Sequence, residues 1–165
     1  MTSATYAVKA GDTLTKRISL SLFAESGYFI EVLGPNGFYR SFIGGPGTGG
    51  LDTGRLASFP VEVRASYERQ GVELTGNVQV ELHNKSTEPV SISIEDNSYQ
   101  TEAVSRKIMP GQEISVVLPL KQSHSWYDFT VRIDGSNAEA RYAGRVETGT
   151  SGFSDPLMGG VVQTT

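Results

Sequence analysis

The chain of 165 residues lacks cysteine altogether and has only two histidines. Without cysteine it has no disulfide, no thiolate metal site and no thiol nucleophile. Its formal net charge is −4, so we expect no nucleic-acid partner and no charge-driven adhesion to anionic lipid. A zwitterionic lipid headgroup remains compatible with this charge.

Long apolar runs are missing too. No window approaches the length of a transmembrane span. Residues 1–4 are not followed by the basic region and apolar run of a signal peptide. If the intact protein is exported, we expect its signal to lie outside this chain.

The sequence is rich in turn and strand residues. It has 19 glycines and 7 prolines, set among many Thr, Ser, Val and Tyr residues, a mixture that favours strands joined by tight turns. The hydrophobic fraction of 38% is enough for a packed core. We therefore expect an all-β protein.

An internal repeat organises the chain. Residues 8–44 align with residues 108–144 at an offset of about one hundred positions. The second copy has a front half that is missing from the first, so the first copy reads as truncated. The predicted divisions are a truncated first repeat over 1–44, a Gly-rich linker over 45–58, a complete second repeat over 59–149 and a flexible tail over 150–165.

The second copy shows the two-residue alternation of half-buried strands about seven times. Asp134-Gly135 predicts a type I′ hairpin. Leu120 followed by Tyr127 predicts a tyrosine corner, in which the tyrosine hydroxyl bonds upstream backbone. These features predict an antiparallel β-sandwich of immunoglobulin-like or fibronectin-like type, preceded by a truncated copy of the same fold.

The first copy offers four predicted strands, over 6–8, 14–22, 28–33 and 38–43. Half a sandwich leaves an apolar face uncovered. The second copy, another chain or sequence not present here must cover it, so self-association through the half-repeat is one expectation. The face comprises Ile18, Leu20, Leu22, Ile30 and Val32.

Catalytic and metal-binding patterns are scarce. His83 and His124 are 41 positions apart in the sequence and read as surface or turn residues. Glu95, Asp96 and Glu102 could form a calcium loop, but Asp is also common in turns because it bonds nearby backbone. The glycines of 44–50 lack the Lys-Ser/Thr of a phosphate loop. We expect no catalytic residue, no metal and no cofactor.

Aromatic residues give the candidate binding site. Phe38 and Tyr39 follow a predicted hairpin tip, and Trp126 stands at a strand entry. Exposed rings of this kind stack on sugars or enter a lipid interface. The competing interpretation for such rings is core packing.

Four motifs carry a resemblance to a known family. They are GPNGFYR at 34–40, SWYDFTV at 125–131, RYAGRVETG at 141–149 and SDPLMG at 154–159. Together they resemble the C-terminal tandem repeats of bacterial phosphocholine-specific, haemolytic-type phospholipase C. The resemblance covers nearly the whole chain except the predicted linker.

The resemblance implies an accessory role. In that family a large N-terminal phosphoesterase domain cleaves phosphatidylcholine or sphingomyelin, and nothing here resembles that domain. The implied partners are this catalytic domain and a phosphocholine lipid surface, and the implied location of the parent is secreted or periplasmic. We expect the chain to be either an excised piece or a gene fragment. The alternative function is a carbohydrate-binding or protein-interaction module.

Overall fold

The computed structural model of the chain describes residues 3–23, 27–45 and 59–158. These residues form nine β-strands and one short 3₁₀ helix, Leu20–Phe23. The strands are β1 Tyr28–Leu33, β2 Tyr39–Gly44, β3 Val61–Gln70, β4 Glu73–Asn84, β5 Val90–Asp96, β6 Val104–Ile108, β7 Glu113–Leu118, β8 Trp126–Ile133 and β9 Glu139–Arg145.

Two antiparallel sheets enclose the core. One sheet has the strand order β3-β4-β7, and the other has the order β1-β2-β9-β8-β5-β6. Side chains alternate between the faces of each strand, so β4 and β8 each send one set of apolar residues inward. The buried core includes Val78, Val80, Leu82, Ile92, Ile108, Phe129, Val131 and Tyr142.

The prediction of an all-β protein with two antiparallel sheets is confirmed. The seven strands expected in the second copy are present as β3 to β9. The finer immunoglobulin-like or fibronectin-like topology stays a prediction. Among the described residues, no helix has the length and apolar character needed to cross a bilayer.

The hairpin formed by β1 and β2 extends the larger sheet by pairing backbone with β9. Tyr39 lies opposite Ala143, and the ladder runs on to Ile43 opposite Glu139. The segments on either side of the predicted linker therefore join edge to edge. Ile18 and Val32 of the predicted apolar face each remain 46% exposed.

Two of the four strands predicted in the first copy, over 6–8 and 14–22, are wrong. Residues 3–19 contain no strand, and the 3₁₀ helix follows them. By the repeat offset, 14–22 correspond to the region of β7, which pairs with β4. Among the described strands none pairs with residues 14–22, so the alternation of this segment has no partner ladder there.

Parts of four predictions lie outside the described residues. These are positions 1–2 and 24–26 of the predicted first repeat, positions 46–58 of the predicted linker, positions 159–165 of the predicted tail and the side chain of Leu20. The division into two repeats, a linker and a tail stays a prediction.

Candidate functional site

The hairpins of the two copies share one register. Tyr28 lies opposite Gly44 in the first hairpin, and Tyr127 lies opposite Gly144 in the second. In both cases the tyrosine ring crosses the glycine: a Cβ on Gly144 would stand 3.0 Å from the Tyr127 hydroxyl, and one on Gly44 would overlap the Tyr28 ring. Any larger residue at either glycine would displace the ring.

A cluster of Arg40, Phe38, Tyr127 and Tyr142 fills the inner side of the junction between β2, β9 and β8; we call it the arginine cluster. The Arg40 guanidinium carbon lies 4.3 Å from the centre of the Phe38 ring, 4.8 Å from that of Tyr142 and 5.5 Å from that of Tyr127. A cation over aromatic faces is attracted by their negative π clouds. Burial raises the pKa of Tyr142 to about 12, while the Arg40 charge acts in the opposite direction.

Arg40 also ties the hairpin to the second copy through hydrogen bonds. Its Nη1 donates to the carbonyl oxygen of Ala143 at 2.9 Å, and its Nη2 donates to the Tyr127 hydroxyl at 3.0 Å. Both acceptors lie more than eighty positions away in sequence. The guanidinium therefore holds together two segments that the sequence keeps apart.

The predicted tyrosine corner at Tyr127 is wrong. Its hydroxyl accepts a hydrogen bond from Arg40 Nη2, and within the described residues it makes no bond to upstream backbone. The loop before β8 is held instead by Ser123, whose Oγ lies 3.1 Å from the Leu120 carbonyl oxygen and 2.6 Å from that of Trp126.

The hairpin predicted at Asp134-Gly135 is present between β8 and β9, but its turn is not type I′. That turn needs positive φ at both central residues, and only Gly135 has one, at +75°.

Tyr39 and Trp126 lie on the outer face of the larger sheet. The Tyr39 hydroxyl donates to Glu31 Oε1 at 2.7 Å. Trp126 Nε1 donates to the Phe153 carbonyl oxygen at 3.0 Å, and the Trp126 ring lies against Gly37 of the first hairpin.

The three predicted binding residues meet at one end of the sandwich but do not share one face. Neighbouring residues of a strand point to opposite sides, so Phe38 turns inward toward Arg40 while Tyr39 turns outward. Trp126 lies beside the hairpin tip that Phe38 follows. Their role in binding stays a prediction.

Sequence reasoning missed Arg40, although one signal was available. It stands two positions after Phe38 and therefore shares its face of the strand. A basic residue inside an otherwise apolar alternation is unusual and marks a buried polar contact.

A charged network also lies on the outer face. Arg141 binds the Asp128 carboxylate through two hydrogen bonds, of 2.8 and 2.6 Å. Asn97 and Ser98 donate to the same carboxylate. Burial by itself raises the pKa of Asp128, but these bonds outweigh it and hold that pKa below its usual range. The network fixes the β8–β9 pair and the loop after β5.

Apolar side chains project from the end of the sandwich that carries the first hairpin tip. Leu33 is 77% exposed there, and Phe38 is partly exposed. The β3–β4 ribbon reaches past the last β4–β7 pair and turns at Val72, which is 88% exposed. A hydrogen bond of 3.0 Å from the Tyr67 hydroxyl to the Arg145 carbonyl oxygen holds this ribbon beside the end of β9. We call this surface the tip end: Leu33, Phe38, Val72, Trp126 and Phe153.

The two histidines are not brought together. His83 lies on the outer face of the smaller sheet, with its Nδ1 3.8 Å from Glu113 Oε2. His124 lies in the loop before β8, with its ring 4.4 Å from that of Phe153. Within the described ranges, no group of three or more His, Asp or Glu side chains is arranged to hold a metal ion.

The acidic loop after β5 is built as a turn. Asp96 Oδ1 accepts from the backbone N–H of Ser98 at 2.9 Å and of Tyr99 at 2.8 Å. Glu95 is paired instead with Arg132. The Asp96 carboxylate therefore bonds nearby backbone, as Asp commonly does in turns.

Comparison with known proteins finds a matching protein family. Residues 2–45 and 61–145 match the family model described as bacterial phospholipase C, C-terminal domain. The chain is similar to a non-hemolytic phospholipase C of Pseudomonas aeruginosa, with 42% identity over 138 residues, which cover 82% of this chain and 19% of that protein.

Two further relatives show the same pattern. A hemolytic phospholipase C of Pseudomonas aeruginosa is 38% identical over 154 residues, which cover 90% of this chain and 19% of the relative. A non-hemolytic phospholipase C of Burkholderia pseudomallei is 33% identical over 156 residues, covering 93% and 21%. The chain thus spans about a fifth of the length of the curated relatives it matches.

Proposed function

We propose that this chain, which belongs to the family of bacterial phospholipase C C-terminal domains, acts as a non-catalytic accessory region that helps its parent enzyme engage a lipid surface. The parent is a phospholipase C that cleaves phosphocholine lipids such as phosphatidylcholine or sphingomyelin. Its catalytic phosphoesterase domain is the natural partner of this region, and the parent works outside the inner membrane.

The observation that carries the lipid role is the apolar character of the tip end. Two hairpins present largely exposed aliphatic side chains at this end, Leu33 at the last position of β1 and Val72 in the β3–β4 turn, together with the exposed or partly exposed rings of Phe153 and Phe38. A few apolar side chains on a rigid scaffold can enter the boundary between headgroups and acyl chains. Aromatic rings with a polar atom, such as that of Trp126, suit the same boundary.

The net charge of the chain favours a zwitterionic lipid surface over an anionic one. With a formal net charge of −4, anionic lipid is not attracted by the chain as a whole. Binding must come from apolar insertion, which a zwitterionic phosphocholine surface permits. Full burial of an aliphatic side chain lowers the free energy by about 1.5–3 kcal/mol. Two such side chains are therefore enough to raise a weak vesicle-binding constant measurably.

The test is sedimentation of the chain with vesicles of phosphatidylcholine and sphingomyelin. We expect the double variant Leu33→Ser, Val72→Ser to lower the partition coefficient about tenfold or more, because two exposed anchors lose their apolar surface. Met109→Ser is the matched control. Met109 is 52% exposed, and it lies in the β6–β7 turn at the opposite end. Two positions later, the N–H of Gly111 donates to the Asn84 carbonyl oxygen.

We expect Met109→Ser to bind vesicles within about twofold of the parent sequence, since its site is far from the tip end. An equal loss of vesicle binding in the double variant and in Met109→Ser would mean that binding does not depend on the tip end. No sedimentation of the unchanged chain at high lipid would refute the lipid-surface role itself.

A further inference from the structure

Among the strands that the structure describes, β1 forms one edge of the larger sheet. Its sequence, YFIEVL, contains a single charged residue, Glu31. Of the three other edge strands among the described residues, β6 carries Arg106 and Lys107 and β3 carries several charges, whereas β7, like β1, carries a single one, Glu113. Proteins commonly place such charges on edge strands to prevent pairing with other chains. The low charge of β1 leaves its edge open to pairing, and its correspondence to a strand of the second copy is what distinguishes it from β7.

The equivalent strand in the second copy shows which neighbour this edge accepts. Strand β8 pairs with β9 on one side, in the same register in which β1 pairs with β2. On its other side β8 pairs with β5, where Val131 lies opposite Ile94 and Thr130 lies opposite Glu95. The outer edge of β1 corresponds to the edge of β8 that holds β5.

We propose that the outer edge of β1 binds a further antiparallel strand with the apolar and polar alternation of β5. In the equivalent register, the position of Ile94 faces Val32 and the position of Glu95 faces Glu31. Opposite charges on facing residues stabilise a strand pair and like charges weaken it. The bound strand therefore carries a β-branched residue opposite Val32 and a basic residue opposite Glu31.

The exposure of the β1 side chains agrees with an edge that has no neighbouring strand among the described residues. Val32 is about half exposed, and Phe29 and Leu33 on the outer face are more exposed still. Where the second copy has Asp128 and Arg132, the first has Phe29 and Leu33. The strand that binds β1 is thus flanked by apolar side chains, and lipid binding at the tip end is not required for it.

The probe is a peptide with the sequence of residues 88–98, EPVSISIEDNS, in two forms. One is unchanged, and the other replaces the glutamate of position 95 by lysine. We expect the lysine peptide to bind the full chain about fivefold more tightly, because it faces Glu31. In the chain variant Glu31→Lys the preference should reverse, which separates pairing in this register from general attraction.

Backbone pairing is tested by methylating alternate amide nitrogens of the lysine peptide. Only one alternate set of N–H groups points at β1 in an antiparallel pair. Methylation of that set should abolish binding, and methylation of the other set should leave it within about twofold. Amide hydrogen exchange should slow over 28–33 on binding of the competent peptides and stay unchanged over 104–108.

Three results would overturn the proposal. One is the absence of binding by either peptide at millimolar concentration. Another is protection that appears on β6 and not on β1. The third is self-association of the chain through β1 that the lysine peptide does not displace, which would make the edge a contact between two copies.

Discussion

Replacing Arg40 by methionine should undock the first hairpin from the second copy. The variant keeps an unbranched apolar stem but removes the guanidinium group and its charge. It loses the hydrogen bonds to the Ala143 carbonyl oxygen and the Tyr127 hydroxyl, of 2.9 and 3.0 Å. It also loses a cation that lies 4.3–5.5 Å from three aromatic ring centres.

The size of the effect follows from these contacts. Hydrogen bonds from a charged donor contribute about 1.5–3 kcal/mol each when well formed. A partly desolvated cation–π contact contributes about 0.5–2 kcal/mol. Since the contacts share one group, they do not add fully. We expect the free energy of unfolding to fall by about 3 kcal/mol.

Tryptophan fluorescence can report the undocking of the hairpin. Trp126 is the only tryptophan, and its ring lies against Gly37 of the hairpin. In urea titrations, Arg40→Met should shift the Trp126 emission to longer wavelength at lower urea than in the parent sequence. Amide exchange over 39–44 should accelerate at the same time.

Arg106→Met is the matched control, because the Arg106 side chain on β6 donates only to the neighbouring Ser105 carbonyl oxygen among its described contacts. Its free energy of unfolding should stay within about 0.5 kcal/mol of the parent value. If Arg40→Met changes the free energy of unfolding as little as Arg106→Met does, and the β2 amides still exchange slowly, the arginine cluster does not hold the hairpin.

Two further substitutions test the sheet itself. Gly144→Ala should destabilise the fold by about 3 kcal/mol, because its φ is +150° and the new Cβ would crowd the Tyr127 hydroxyl. Gly111→Ala, at φ +70° with open space, should cost only about 1 kcal/mol, and equal costs in urea titrations would refute the crowding argument. The pKa of the Asp128 carboxyl is lower in the folded state than in the unfolded state. Its contribution to the free energy of unfolding is therefore fully present above the unfolded-state pKa near 4. This contribution is lost as the pH falls through the folded-state pKa. Asp128→Asn should therefore be less stable at pH 7 and lose less stability between pH 5 and 2 in acid titrations; an unchanged acid profile would contradict the assignment.

Most of the second copy could be predicted from the sequence because its strands alternate with period two. The alternation of Val78, Val80 and Leu82 with polar residues predicts the inner face of β4, and these three residues are buried. Turn residues mark the ends of the hairpins. The exact turn at Asp134 was not predictable from residue type, since Asp-Gly is compatible with more than one turn geometry.

The joining of the two copies could not be predicted in the same way. Pairing between β2 and β9 links residues about one hundred positions apart, and alternation within a strand does not identify its neighbour. The same reason explains the strand wrongly predicted over 14–22. Its alternation is suitable for a strand, but a strand forms only where a partner ladder exists.

The aromatic candidates could be named from the sequence, but neither their meeting at one end of the sandwich nor their contacts could be predicted, and their role in binding stays a prediction. Phe38 and Trp126 are aromatic residues near predicted turns, and the structure places them at one end of the sandwich. The contribution of Arg40 depends on Tyr127 and Tyr142 from the other copy. The local pattern can mark Arg40 as a residue with a buried polar contact, but it does not identify the distant partners of that contact.

The most direct test of the account measures the phospholipase C activity proposed for the intact parent protein, on two substrates. One is phosphatidylcholine in vesicles, and the other is a soluble chromogenic phosphocholine ester. If the tip end serves the lipid surface, Leu33→Ser with Val72→Ser should lower the rate on vesicles about tenfold and leave the rate on the soluble ester unchanged. Equal rates on vesicles with and without the substitutions, or an equal fall on both substrates, would contradict the account.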